Sequence, residues 1–179
     1  MDGVLVDFIR GISSVFDRKN LEETWTPGEW NAENILGIST NDFFGRIESQ
    51  GYQFWMNLHP CPGAIDLFNY CNELAPTYIL SSPTRDPNCL KGKMLWLQNY
   101  FGKNFRNFIL TPKKEMCARL DKVLIDDNEN NVESFRFNGG QGILYPSVVN
   151  KRHGEKNRAV EIVKSELISI KNLIHWNEE

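Results

Sequence analysis

The segment from residue 61 to residue 145 alternates short apolar runs with longer stretches of helical periodicity, and this alternation strongly restricts the fold. Apolar runs at residues 77–80, 108–110, 122–125 and 142–145 are predicted strands. Strands that alternate with helices form a parallel sheet with right-handed crossovers. The sequence therefore predicts an α/β fold, a Rossmann-like parallel sheet with helices on both faces.

Helices are predicted between and after these strands. One begins after Pro62 and Gly63, one spans residues 131–137, and a long one spans residues 155–175. Another ends at Gly102, and its apolar stripe consists of Leu90, Met94, Leu97 and Phe101.

The first 60 residues have a different character. Residues 8–19 have helical spacing, whereas residues 21–60 are rich in aromatic side chains and are interrupted by glycine and proline. Short helices and loops are expected there. The aromatic rings can form the core of a compact subdomain or the wall of a ligand pocket.

Composition limits the classes of partner. The 179 residues are 41% hydrophobic and 24% charged, which is typical of one globular core. A net charge of −3 provides no basic surface for polymeric nucleic acid, and no apolar run approaches the ~20 residues of a membrane span. We expect a cytoplasmic location. Four cysteines without a CxxC pair argue against a zinc site and a disulfide framework.

Two adjacent carboxylates, Asp126 and Asp127, follow the predicted strand at residues 122–125. Parallel sheets bind ligands at the carboxyl ends of their strands, where paired acids can hold a cation. Oxygen ligands without a His or Cys cluster favour a hard ion such as Mg²⁺. The alternative is an ordinary polar turn, since Asp and Asn are common in turns and at helix N-caps.

Other strand ends also carry polar side chains. Ser81 and Ser82 follow one predicted strand and Lys114 follows another, so they are expected at the same sheet edge as the paired acids. A hydroxyl and an ammonium can bind phosphoryl oxygens, while carboxylates hold Mg²⁺ against them. Together these groups indicate phosphoryl transfer, and Asp2 lies in a segment that could join them.

The residues 2–8 (DGVLVDF), Ser81 to Pro83, Lys114 and the segment 124–127 (LIDD) resemble, in this order, the four motifs of the haloacid dehalogenase superfamily. Together with the Pro-Gly-Ala turn at residues 62–64, they resemble more narrowly the 5'(3')-deoxyribonucleotidase family of cytosolic, mitochondrial and phage-like type. The resemblance implies an α/β core at residues 1–9 and 61–179, with a helical cap at residues 10–60.

The resemblance also implies a Mg²⁺-dependent phosphomonoesterase that forms an aspartyl-phosphate. In the family motif Asp-x-Asp-Gly, the first Asp attacks phosphorus, and the second protonates the leaving oxygen and then activates water. Asp2 matches the second Asp and Met1 matches x. The attacking Asp and its strand, which is central in the sheet of the superfamily, are therefore expected just before Met1.

Further roles follow from matching positions to the family motifs. By this resemblance, Asp2 is expected to be the acid/base and to provide its backbone carbonyl to the metal. Asp127 is expected to be the direct metal ligand, and Asp126 to order the metal shell. Ser81 and Lys114 are expected to bind the phosphoryl group, although Lys113 could take the place of Lys114. Binding of the nucleotide is assigned to Ser82, Phe8, Trp30 and Arg85.

Two functions of different class remain open. The first is a 5'-nucleotidase for deoxyribonucleoside monophosphates, or a phosphatase for another small phosphate ester. The second is an inactive relative that binds nucleotide or phosphate. Similarly, Trp30 and Phe44 could be cap core and Arg85 a solvated charge. The expected partner is a small nucleoside monophosphate, and a homodimer is left open.

Overall fold

The computed structural model describes residues 1–174, with the side chain of Ile174 excepted. A tight turn at residues 1–7 precedes helix α1 (Phe8–Val15), which is shorter than expected because Phe16 leaves helical geometry. Three short helices follow: α2 (Ala32–Leu36), α3 (Thr40–Ser49) and α4 (Tyr52–Met56). This confirms the expectation of short helices and loops in the aromatic-rich segment.

From residue 61 onward the alternation is as predicted. The order is α5 (Ala64–Leu74), β1 (Ile79–Ser81), α6 (Pro87–Phe101), β2 (Phe108–Leu110), a 3₁₀ helix (Lys114–Cys117), β3 (Val123–Asp126), α7 (Glu129–Phe137) and β4 (Gln141–Leu144). Two elements close the described chain, a second 3₁₀ helix (His153–Arg158) and α8 (Ala159–Ile174). The final α-helix thus begins four residues later than predicted, and its expected last residue, His175, lies outside the described residues.

All four strands are parallel to their partners, but within residues 1–174 they form two pairs. Strand β1 pairs with β2, with Ile79 opposite Phe108, and β3 pairs with β4, with Val123 opposite Gln141. The lining of an open cleft of about 1440 Å³ includes residues of both β1 and β3. Short parallel strands with helices around them confirm the α/β class.

Two clusters of buried apolar side chains stabilise this arrangement. The larger contains Trp25, Phe43 and Trp55 from the aromatic-rich segment together with Ile79 and Trp96. The smaller joins α5, β4 and α8 through Leu67, Ile143 and Val163. Because the larger cluster draws on both expected units, the division of the chain into core and cap stays a prediction. None of the helices within residues 1–174 is long and apolar enough to cross a membrane.

The helix α6 packs against α4 through a close backbone approach. A Cβ added at Gly92 would lie 2.4 Å from Trp55 Cβ and 2.5 Å from the Tyr52 carbonyl oxygen. Only glycine fits there without displacement. The predicted stripe of α6 needs correction, because Leu90 is exposed and Lys93 is buried with Leu97.

Candidate active site

The N-terminal turn brings Asp2 and Gly3 to the carboxyl end of β3. Gly3 has φ +72°, and its N–H donates to the Val6 carbonyl oxygen at 2.8 Å. A Cβ on Gly3 would lie 1.8 Å from Asp127 Oδ2, so the absence of a side chain allows this contact. The turn also lies beside β1, because the Met1 amino group donates to the Leu80 carbonyl oxygen at 3.4 Å.

The carboxylate of Asp126 is buried and fully engaged. Lys114 Nζ donates to Oδ2 at 2.5 Å, and Oδ1 accepts from the Asn128 backbone N–H and from Asn131 Nδ2, each at 3.0 Å. The side chains of Lys114 and Asp126 are 8% and 4% exposed. Lys114, which the sequence assigns to the phosphoryl group, therefore contacts this acid in the structure.

The neighbouring Asp127 has a very different environment. Burial, and next to it repulsion from Asp126, raise the pKa of Asp127 to about 7. Its backbone carbonyl oxygen accepts from Asn150 Nδ2 at 2.9 Å, and the same amide nitrogen donates to the Tyr145 carbonyl oxygen at 2.9 Å. Asn150 thus fixes the loop that presents Asp127.

A lysine that sequence reasoning missed joins Asp2 to Ser81. Lys93 Nζ donates to Asp2 Oδ2 and, at 3.1 Å, to Ser81 Oγ. Burial alone would raise the pKa of Asp2, but the charges of Lys93 and the Met1 amino group outweigh it and hold that pKa below its usual value. The sequence contains one indication that Lys93 is buried. It lies four residues from both Cys89 and Leu97, and residues four apart lie on the same face of a helix, here the buried face of α6.

A cavity of about 910 Å³ opens beside these acids. Its lining includes several residues expected to act in the site: Asp2, Asp127, Phe8, Trp30 and Ser82. Phe8 stacks on Trp55, with ring centroids 6.0 Å apart, and Trp30 is 47% exposed at the wall. Arg85 is exposed and lies outside this lining, so its assignment to the nucleotide stays a prediction.

The cavity also contains a thiol, at Cys61. Burial raises the pKa of Cys61 to about 12, and the charges of Asp7 and Asp127 add to the effect. A thiol of this kind stays protonated near neutral pH and is a poor nucleophile. The titratable groups at the cavity therefore favour carboxylate chemistry over thiol chemistry.

The donor set is compatible with a hard divalent cation. Within residues 1–174, no group of three or more His, Cys, Asp or Glu side chains is arranged to hold a metal. Mg²⁺ does not require one, since it is commonly bound by one or two carboxylates together with water and substrate phosphate. The raised pKa of Asp127, and an Asp2 Oδ1 that is buried without a hydrogen-bond partner among residues 1–174, are features that a bound cation would complement.

Comparison with known proteins agrees with this geometry. The family model described as "5' nucleotidase, deoxy (Pyrimidine), cytosolic type C protein" matches residues 1–173. The chain belongs to this family. The family's description identifies its members as 5'-nucleotidases, which are phosphoric monoester hydrolases.

Individual members of the nucleotidase family show the extent of the likeness. The human cytosolic-type 5'(3')-deoxyribonucleotidase is 32% identical over 139 residues, covering 72% of this chain and 68% of that protein. The human mitochondrial 5'(3')-deoxyribonucleotidase is 26% identical over 140 residues, covering 71% and 59%. The Bacillus subtilis 5'(3')-deoxyribonucleotidase is 28% identical over 123 residues, covering 68% and 67%. The match thus extends over about three fifths to two thirds of these relatives.

Proposed function

We propose that this protein is a Mg²⁺-dependent phosphomonoesterase that removes phosphate from deoxyribonucleoside monophosphates. The observation that carries the proposal is the meeting of Asp2 and Asp127 at the wall of an aromatic-lined cavity of about 910 Å³. This volume falls within the range of small-molecule sites, roughly 300–1,000 Å³. The names of the relatives support the choice of a deoxyribonucleotide among phosphate esters.

Asp127 and the backbone carbonyl of Asp2 would hold the metal ion. Asp126 would act indirectly, because its oxygens are already bonded to Lys114, Asn128 and Asn131. When bound, Mg²⁺ offsets the negative charge of the phosphoryl oxygens. A cation also relieves the repulsion between Asp126 and Asp127, which supports this placement.

The side chains around the metal position would transfer protons and bind the phosphoryl oxygens. Asp2, which Lys93 keeps ionised before turnover, would take a proton from the attacking water in the second step. That proton would pass to the leaving oxygen of the nucleoside in the first step of the next turnover. Ser81 would donate its hydroxyl hydrogen to a phosphoryl oxygen. Lys114 would contribute positive charge next to Asp126, because its ammonium lies 2.5 Å from that carboxylate.

The carboxylate that attacks phosphorus is proposed to precede Met1, at the end of a further strand. The cleft of about 1440 Å³ whose lining includes β1 and β3 supports this placement. Each of these strands has one described strand partner, so one edge of each is available for pairing. A parallel strand in the cleft would join the two pairs into one sheet. Translation of the nucleic acid upstream of Met1 tests this proposal, which requires an in-frame apolar run ending in Asp.

The aromatic wall of the cavity is proposed to bind the nucleobase. Trp30 and Phe44 line the same cavity as the acids, and about half of the Trp30 surface is exposed. An exposed ring at a cavity wall can stack on a base, and this contact is tolerant of base identity.

Phosphate release tests the proposed function. The product of the complete reading frame should release phosphate from deoxyribonucleoside 5'-monophosphates, and excess EDTA should stop the release until Mg²⁺ is restored. Asp127→Asn should lose most of this activity, because a neutral amide is a poorer ligand for Mg²⁺. Binding of nucleotide without turnover would favour the inactive relative, and full activity in EDTA would refute the metal assignment.

A further inference from the structure

The environment of Lys93 is unusual for a lysine. Its side chain is 1% exposed, and its ammonium contacts a carboxylate, a hydroxyl and an aromatic face at once. The Nζ atom lies 4.9 Å from the centroid of the Trp55 ring. A buried ammonium is costly to desolvate, and an apolar residue of similar volume would often stabilise the fold equally well. Packing alone therefore does not explain a lysine here.

The contacts of Lys93 join two distant parts of the chain. Asp2 comes from the N-terminal turn and Ser81 from the end of β1, and the ammonium on α6 bonds to both side chains. One side chain of α6 thus bonds to an acid and to a hydroxyl that have separate roles in the proposed reaction.

The direction of these hydrogen bonds determines which atoms remain available. Lysine only donates, so Ser81 Oγ must accept from Lys93, and its own hydrogen is directed elsewhere. On Asp2, Lys93 occupies Oδ2, while Oδ1 is buried without a described partner. A buried polar atom left without a partner is unfavourable unless a ligand or water completes its bonding.

We propose that Lys93 is a positioning residue for the phosphoryl-transfer site. It holds Asp2 by Oδ2, which leaves Oδ1 to exchange a proton with the leaving oxygen and with water. It also holds Ser81 as an acceptor, which leaves the hydroxyl hydrogen for a phosphoryl oxygen. This inference rests on the proposed function, because it specifies how two residues of that site are oriented.

A double-mutant cycle tests whether Lys93 acts through Asp2. The complete gene product is assayed with a deoxyribonucleoside 5'-monophosphate as Lys93→Met, Asp2→Asn and the double variant. Lys93→Met should lower kcat by roughly 10- to 100-fold with a smaller change in KM, since misplacing a reacting group has effects of this size. The double variant should match Asp2→Asn within about twofold.

Lys91→Met is the matched control. Lys91 lies on the same helix and contacts an aromatic ring, with Nζ 3.8 Å from the Tyr52 centroid, but it is exposed. The bonds to Asp2 and Ser81 come from Lys93 instead. Lys91→Met should keep kcat and KM within about twofold, since surface substitutions usually have effects no larger than this. Thermal melting of each variant separates loss of folding from loss of positioning. If Lys93→Met does not melt cooperatively, Lys93→Gln replaces it in the cycle.

Several outcomes would overturn the inference. Lys93→Met with unchanged kcat would do so, as would a double variant whose loss is the product of the single losses. Asp2→Asn with full activity would remove both the acid/base assignment and the role of Lys93. If the unaltered protein shows no turnover, the proposed function fails. Calorimetric binding of inorganic phosphate then decides the Lys93 inference, which requires non-additive losses for Lys93→Met and Ser81→Ala.

Discussion

Asp126 and Asp127 are neighbours in sequence, yet the structure predicts opposite effects when each is changed to Asn. Asp126 has an ion pair and two further hydrogen bonds, whereas none of the ion pairs found within residues 1–174 involves Asp127. Burial and the charge of Asp126 raise the pKa of Asp127 to about 7. In the absence of metal, the ionised Asp127 should therefore destabilise the fold.

The size of the Asp127 effect follows from its pKa. The shift from 3.8 to about 7 is about 3 units, or about 4 kcal/mol at 1.36 kcal/mol per unit. Because the folded state holds its proton more tightly, stability is lost as pH rises from about 4 through about 7, and the full loss is present at pH 8. Asp127→Asn should recover part of it, up to roughly 4 kcal/mol.

Asp126→Asn should act in the opposite direction. It removes the charge that faces Lys114 at 2.5 Å and leaves a buried ammonium without its counter-ion. Breaking a buried pair in this way costs about 3–5 kcal/mol. This variant controls for the general effect of placing an amide at the end of β3.

Urea unfolding of the complete gene product in EDTA measures both effects. At pH 8, Asp127→Asn should be more stable than the unaltered protein and Asp126→Asn less stable. The advantage of Asp127→Asn should disappear near pH 4. Added Mg²⁺ should stabilise the unaltered protein but not Asp127→Asn. If both variants are destabilised equally at pH 8, the reasoning from the environment of Asp127 is wrong.

Two further substitutions test the cavity and the N-terminal turn. Trp30→Ala should reduce the preference for a nucleotide over p-nitrophenyl phosphate by roughly tenfold or more, since stacking contributes about 1–3 kcal/mol per base. Equal losses on both substrates, measured as kcat/KM, would instead make Trp30 structural. Gly3→Ala should lose both stability and activity, because its Cβ would displace the Asp127 carboxylate. Gly28→Ala is its control, since φ is +84° but no atom lies within 4 Å of the added Cβ. It should cost about 1–2 kcal/mol of stability and leave kcat unchanged.

Much of the fold was predictable because its signals are local. Gly102 marks the end of α6 as predicted. Strands β1 and β3 follow from short apolar runs bounded by polar residues, although they end one residue later than predicted, at Ser81 and Asp126. The acidic pair could be located for the same reason, since Asp126 is the last residue of β3 and Asp127 directly follows it. These features depend on residues close together in sequence.

Other features depend on contacts between distant residues. The helix α6 is apolar on more than one side, so periodicity alone did not show that Lys93 is buried and Leu90 exposed. Asn150 lies in an irregular segment with no period to indicate that it holds the Asp127 loop. The separation of the strands into two pairs is likewise a tertiary property, which the order of strands and helices does not determine.

Trapping of a phosphorylated intermediate tests the central claim, a two-step hydrolysis in which Asp2 serves as acid and then as base. Rapid quenching of the Asp2→Asn gene product with ³²P-labelled p-nitrophenyl phosphate is the measurement. This substrate has a good leaving group that needs little protonation, so the first step should proceed and the second should stall. The account predicts labelled protein that accumulates and releases its label to hydroxylamine, as an acyl phosphate does. Steady release of phosphate by Asp2→Asn, with no labelled protein at any time, would contradict it.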